Sequence, residues 1–235
     1  MNLTASIDII RYRDGHFTEV SDLMVNEVCL QLQINSSIQK RLFCSPAELE
    51  ELVIGHLYDN SYIASLADIA SLELDEAAFR AVVQLPALIS APESRERRPL
   101  PNVSFTVEML LQNQERFYED SALQKATAGV HRCALCDNSG TLLACEDISR
   151  HNAFDKVVGQ ALRKGIELRD KYLITSGRIP LDMMQKATVC GVPMVVSRST
   201  PTIAAVEEAR RANLTLLGFS RENRFNVYSG VERLI

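Results

Sequence analysis

Apolar and polar residues alternate with a period of two through IDIIRYR, VCLQLQI and QKRLFCS, which are separated by a DG turn and an NSS turn. That pattern predicts short antiparallel strands in a meander. The period lengthens after Ser45, where Ser as cap, Pro46 at the first helical position and Glu48 in the first turn predict a helix over residues 47–58. Leu49, Leu52, Val53 and His56 repeat at helical spacing within it, and Gly55 permits close packing. Strand-like pieces follow at residues 69–74 and 79–85. Residues 90–101 (SAPESRERRPLP) read as a charged, Pro-bounded loop whose composition favours exposure and mobility.

The second half has a different rhythm. Ser104 is placed to cap a helix with Met109, Leu110 and Phe117 on its apolar side. HRCALCD, the turn NSG and TLLACED then predict a hairpin. Helices over 152–162, 181–190 (stopped by Gly191) and 202–212 alternate with strands at 172–175, 193–196 and 214–219. Strands separated by single helices imply right-handed crossovers and a mostly parallel sheet covered by helices. The expected fold class is therefore α/β with an α+β first domain. Residues 1–102 form a smaller β-rich domain with one helix, and 103–235 a larger three-layer domain with a mixed, mostly parallel sheet. In such sheets the ligand crevice lies beyond the carboxyl ends of the strands. That rule brings residues 146–155, 175–178, 197–200 and 220–226 to one rim.

Composition narrows the partners. A formal charge of −5 and a pI near 5.5 argue against a general nucleic-acid binder but leave room for a local basic pocket. No apolar run approaches the roughly 20 residues that span a bilayer, and MNLTASIDII has no basic n-region, h-region or cleavage site, so no membrane association and a cytoplasmic location are expected. The six cysteines are too sparse for a secreted disulfide framework, and reduced thiols are expected. Cys29, Cys145 and Cys190 lie in apolar contexts and read as core; Cys133 and Cys136 form the single CxxC.

The stretch EDISRHNAFDK (146–156) is dense in charge at a strand-to-helix junction, where unpaired N–H groups and the helix field favour anions. His151 and Asp155, like Asn152 and Lys156, are also spaced for ordinary i,i+4 pairs. Ser176 and Gly177 either cap the next helix or free backbone N–H groups beside the planar fork of Arg178. Arg221, Arg224, Phe225 and Asn226 form either a solvated hairpin or a purine-stacking cluster. His131, Cys133 and Cys136 lack a fourth ligand at zinc spacing, and no metal site is expected. The two thiols offer a reversible disulfide or a persulfide, with Arg132 and His131 favouring thiolate, although strand alternation puts them on opposite faces. The H-x-E and PCxxC elements of a zinc nucleobase deaminase are absent.

The series GVHRCAL, EDISRHNAFDKVVGQAL, LITSGRIPLDMMQKA, GVPMVVSRSTPTIAAVEEA and LTLLGFSRENRFNVYSG, with CSPAELEELVIGHLYDNSYI before it, resembles the FdhD/NarQ family of formate dehydrogenase accessory sulfurtransferases. The resemblance implies a larger domain similar to cytidine deaminases. It also implies a role in maturing formate dehydrogenase: sulfur is taken from a cysteine desulfurase as a persulfide and passed to bis-molybdopterin guanine dinucleotide, which is cargo and not a redox cofactor. The family's cofactor-binding stretch falls here on Phe219, Ser220, Arg221, Glu222, Asn223 and Arg224, with Arg150, His151, Asn152, Lys156, Ser176, Gly177 and Arg178 as rim neighbours. The family's CGxCG-type loop motif has no counterpart, because residues 84–101 contain no cysteine. Either Cys133 or Cys136 carries the persulfide, or the chain is a cofactor-binding chaperone without sulfur carriage. A homodimer is expected from the exposed-looking strands of the first half and from the two pterin halves of the cofactor.

Overall fold

The computed structural model describes residues 2–86, 99–221 and 223–235, so most of the charged loop predicted at 90–101, and Glu222, lie outside the described residues. β1 (Thr4–Arg13) and β2 (His16–Val25) pair antiparallel around Asp14 and Gly15, whose φ values of 51° and 86° match a two-residue hairpin turn. They stand as a separate two-stranded ribbon. β3 (Val28–Ile34), β4 (Ile38–Cys44), β5 (Ser71–Asp75) and β6 (Arg80–Gln84) form a four-stranded sheet in the order β4-β3-β6-β5. Alternation along β3 sends Val28, Leu30, Leu32 and Ile34 into a core completed by Leu49, Leu52, Val53 and Leu57 of α1 (Leu49–Asp59).

The start of α1 differs from expectation. Its N-cap is Glu48, in the left-handed region at φ 53°, and Ser45 makes no cap. The Ser45 amide and hydroxyl both donate to Asp147, a carboxylate of the other half of the chain, which is the stronger competitor for them.

A six-stranded sheet organises the second half, in the order β12-β11-β10-β9-β7-β8. Its strands are β7 (His131–Asp137), β8 (Gly140–Asp147), β9 (Tyr172–Thr175), β10 (Met194–Ser197), β11 (Thr215–Arg221) and β12 (Arg224–Ser229). Parallel pairing is confined to the central β9, β10 and β11, because antiparallel strands close both sides. The sheet is thus mixed, with less parallel character than alternation alone implied. α4 (Arg150–Arg163), α5 (Leu181–Cys190) and α6 (Ile203–Arg211) cover one face. α2 (Val107–Glu119) lays Leu110 and Phe117 on the other. The N-cap of α2 is Thr106, two residues beyond the expected Ser104. The six-residue α3 (Ala122–Thr127) was not evident from periodicity.

The halves meet where α1 crosses α4. A Cβ on Gly55 would lie 1.8 Å from the Asp155 carbonyl oxygen, and one on Gly159 would lie 1.9 Å from that of Glu51. Only glycine fits at either position. Beside this crossing Lys186 of α5 pairs with Asp155 and Asp59, and burial together with the charge of Asp155 raises the Asp59 carboxyl well above its ordinary value. Among the described residues no helix is long and apolar enough to cross a membrane.

Candidate functional site

The sheet order sends the carboxyl ends of β8, β9, β10 and β11, and the amino ends of β7 and β12, to one edge. Hydrogen bonds tie this rim together strand by strand. Ser176 Oγ accepts from the Arg132 amide at 3.1 Å and lies 3.1 Å from His131 Nδ1. Ser197 Oγ donates to the Gly177 carbonyl at 2.6 Å, and the Phe219 amide donates to the Ser199 carbonyl at 3.0 Å. These bonds fix the rim loops relative to each other without using their cationic side chains.

Two hollows open on this edge. One, of about 590 Å³, has His131, Arg132, Ser176, Lys125 and Gln124 in its walls; the other, of about 330 Å³, has Arg221, Asn223 and Gln114. Tyr118 and Arg198 line both, so the two hollows adjoin across these side chains. The Arg198 guanidinium stands 4.7 Å from the centre of the Tyr118 ring, and that of Arg132 5.5 Å from the Phe117 ring. Burial pushes the Tyr118 hydroxyl up to about 12, with Arg198 opposing, so it remains a neutral donor at ordinary pH. Among the described residues no carboxylate lines the larger hollow, and Glu115 lines the smaller.

Among the described residues, three buried donors near this edge are unsatisfied. Arg132 is 9% exposed and its Nε has no hydrogen-bond partner; the buried Nε of Arg150 and hydroxyl of Ser220 also have none. Buried groups of this kind are normally paired, and an anion with several oxygens would pair them. Gly177 admits Arg150: a Cβ there would meet Arg150 Cδ at 2.9 Å and His131 Nδ1 at 3.4 Å. Burial and the adjacent Arg150 charge lower the pKa of His131, while burial lowers that of His151 against the opposing Asp182. Phe219 adopts φ 50°, a strained conformation for a bulky residue, within a bulge of the β11–β12 hairpin that ends in Arg221 and Asn223.

The predicted residues therefore separate into groups. Ser176, Arg221 and Asn223 line the hollows, and Arg150, His151, Gly177, Phe219 and Ser220 lie at the same strand ends without lining them. Arg178 and Arg224 are exposed and likewise line neither hollow. Asn152 and Lys156 point inward and require correction. Lys156 is fully buried, 2.7 Å from Asp147, and donates to Ser45 Oγ at 2.9 Å. Asn152 donates to Asp147 at 3.0 Å and to the Phe43 carbonyl at 2.7 Å. Both are consumed in joining the halves.

Cys133 and Cys136 also point away from the rim. They are fully buried on opposite faces of the sheet, and burial raises Cys133 far above, and Cys136 to about 12 from, the ordinary thiol value. A neutral core thiol is a poor nucleophile, so the geometry disfavours the carrier role expected of them. Cys44, Cys145 and Cys190 are buried too; Cys29 is half-buried, on the outer face of the N-terminal sheet. Among the described residues one group has metal-ligand spacing, His56, Asp59 and Asp155, and the Lys186 ammonium lies among its carboxylates. Tyr118 and Phe117 were missed as site residues, because helical periodicity marked Phe117 only as core.

Comparison with known proteins accounts for the whole length of the chain. The model of the FdhD/NarQ family matches residues 25–100 and 87–235. The chain belongs to the FdhD/NarQ family. It is 33% identical to the sulfur carrier protein FdhD of Bacillus subtilis, over 99% of this chain and 98% of that one. It is 32% identical to the protein of the same description from Listeria monocytogenes, over the full length of both. A crystal structure described as that of a formate dehydrogenase accessory protein from Desulfotalea psychrophila superposes with a TM-score of 0.90 at 26% identity, covering 100% of both chains. Family membership thus extends through both sheets, including the rim.

Proposed function

We propose that this chain is a cytoplasmic maturation factor for formate dehydrogenase that holds bis-molybdopterin guanine dinucleotide along the rim groove. The observation that carries the reading is the continuity of two cation-lined hollows through Tyr118 and Arg198, next to buried guanidinium nitrogens with no partner. Arg132 and Arg150 suit a phosphate at one end and Arg221 suits another, while Tyr118 offers a face for a base. Thiol placement favours the chaperone form of this role over sulfur carriage. Five of the six cysteines are buried, and residues 84–101 contain none. In this reading a cysteine desulfurase supplies sulfur to cargo that the chain presents, and formate dehydrogenase is the recipient. The larger domain would share the layered plan of cytidine deaminases.

The same reading includes a homodimer formed through the β1–β2 ribbon. Ile10, Tyr12 and Phe17 are 69%, 63% and 74% exposed there, and an isolated two-stranded ribbon is marginal in water without a partner. A sedimentation mass of one chain would remove that part.

GDP serves as the probe for the groove. Arg132→Gln and Arg221→Ala should each weaken it by roughly tenfold, the loss expected for one charge-assisted hydrogen bond. Unchanged affinity in both variants would reject the groove. Incubation with desulfurase and cysteine followed by intact mass measurement decides sulfur carriage: an adduct of about 32 Da, one sulfur atom, would restore the carrier role.

A further inference from the structure

A second concave surface lies on the N-terminal sheet, on elements that contribute nothing to the rim groove. In the strand register Gln31 of β3 faces Arg41 of β4 on one side and Arg80 of β6 on the other. Residues opposite one another across neighbouring strands share a face of the sheet. Val28, Leu30, Leu32 and Ile34 take the inner face, so the row Arg41, Gln31, Arg80 projects outward, where all three side chains are exposed. Two strand spacings separate the arginine Cα atoms by about 10 Å, which lets two long side chains lean over the same central residue.

The hollow between them has a volume of about 450 Å³ and is also lined by Gln33, Gln39 and Lys40, with no carboxylate among the described residues. Arg80 Nη2 donates to Gln33 Oε1 at 3.3 Å, which leans its guanidinium along the outward face of β3. Asp75 is the register partner of Arg80 on β5, yet its Oδ1 accepts from the amides of Ala77 and Ala78 instead. Among the described residues no ion pair engages Lys40, Arg41 or Arg80. Two guanidiniums gathered on one face without counter-charge, on a chain of formal charge −5, repel one another unless an anion joins them. Guanidinium forks and carboxamide N–H groups are donors suited to a compact ligand rich in oxygen atoms.

We propose that this hollow binds a small phosphate-bearing anion with two or more negative charges, independently of the rim groove. Inorganic pyrophosphate is the probe, added to the full chain and followed by NMR at the side-chain amides of Gln31, Gln33 and Gln39. Saturable shifts are expected at these three residues by about 10 mM, a modest millimolar affinity. Arg41→Gln combined with Arg80→Gln should weaken them at least roughly tenfold. Arg221→Gln should leave them unchanged, which separates this hollow from any pyrophosphate held at the rim. If the double variant does not fold, Arg41→Gln alone, on an exposed edge strand, should still weaken the response severalfold. The proposal is overturned by silent glutamine amides, by shifts that persist in the arginine variants, or by a response to polyglutamate and none to pyrophosphate.

Discussion

Residues 146–156 divide into two sets that the amino-acid sequence interleaves. Asp147, Asn152, Asp155 and Lys156 turn inward; Arg150 and His151 stay at the rim. Each inward group has partners from other elements: Asp147 accepts from Ser45, Ser149 and Asn152 and pairs with Lys156, and Asp155 pairs with Lys186. Arg150, by contrast, keeps a buried nitrogen with no partner. Equal charge density thus serves opposite ends. Saturated groups hold the two halves of the chain together, while Arg150 at the rim keeps donor capacity unused.

The strongest test of this contrast is Lys156→Met. Leaving Asp147 buried without its counter-charge should cost about 3–5 kcal/mol in urea unfolding. A loss below about 1 kcal/mol would mean that the inward set does not join the halves. Arg198→Ala should do the reverse, weakening GDP by roughly tenfold while changing unfolding by less than about 1 kcal/mol, because the side chain is exposed. Equal effects of the two substitutions on stability would erase the distinction.

Thiol labelling sharpens it further. With iodoacetamide on the native chain, Cys29 should react first and the five buried cysteines only on unfolding. Rapid labelling of Cys133 or Cys136 would reopen the carrier role. The smallest effect concerns pH. The folded-state pKa values of His131 and His151 are lowered, so near and below their unfolded value the unfolded chain binds more protons. Stability should therefore fall as pH drops below about 6.5, visible as a declining melting temperature. His131→Gln should flatten that decline. An anion in the groove should favour the charged imidazole, so GDP should bind more tightly at the acidic end of the same window.

Much of the fold was readable because local chemistry agreed with the tertiary outcome. The Asp14–Gly15 turn, the Gly191 stop with φ 72° and the Thr202 cap accepting from Ala205 each lie at an element boundary. α3 escaped because six residues hold too little periodicity, and Ser45 was misjudged because Asp147, remote in sequence, competes for it. At the site, the sheet order places residues 175–178, 197–200 and the described part of 220–226 at one edge, as the strand-end rule expects. That rule could not tell Arg150 from Lys156 on one helix, since that depends on α1 packing behind α4. Nor could it supply Tyr118, which reaches the groove from the opposite layer.

The glycine crossing of α1 and α4 constrains how the molecule can move. With main chain against main chain at Gly55 and Gly159, there is no cushion of side chains over which one helix can slide. Opening and closing by rotation of one half about the other is thereby discouraged. Movement at the rim is left to the loops between strands, and the N-terminal sheet rides rigidly with it.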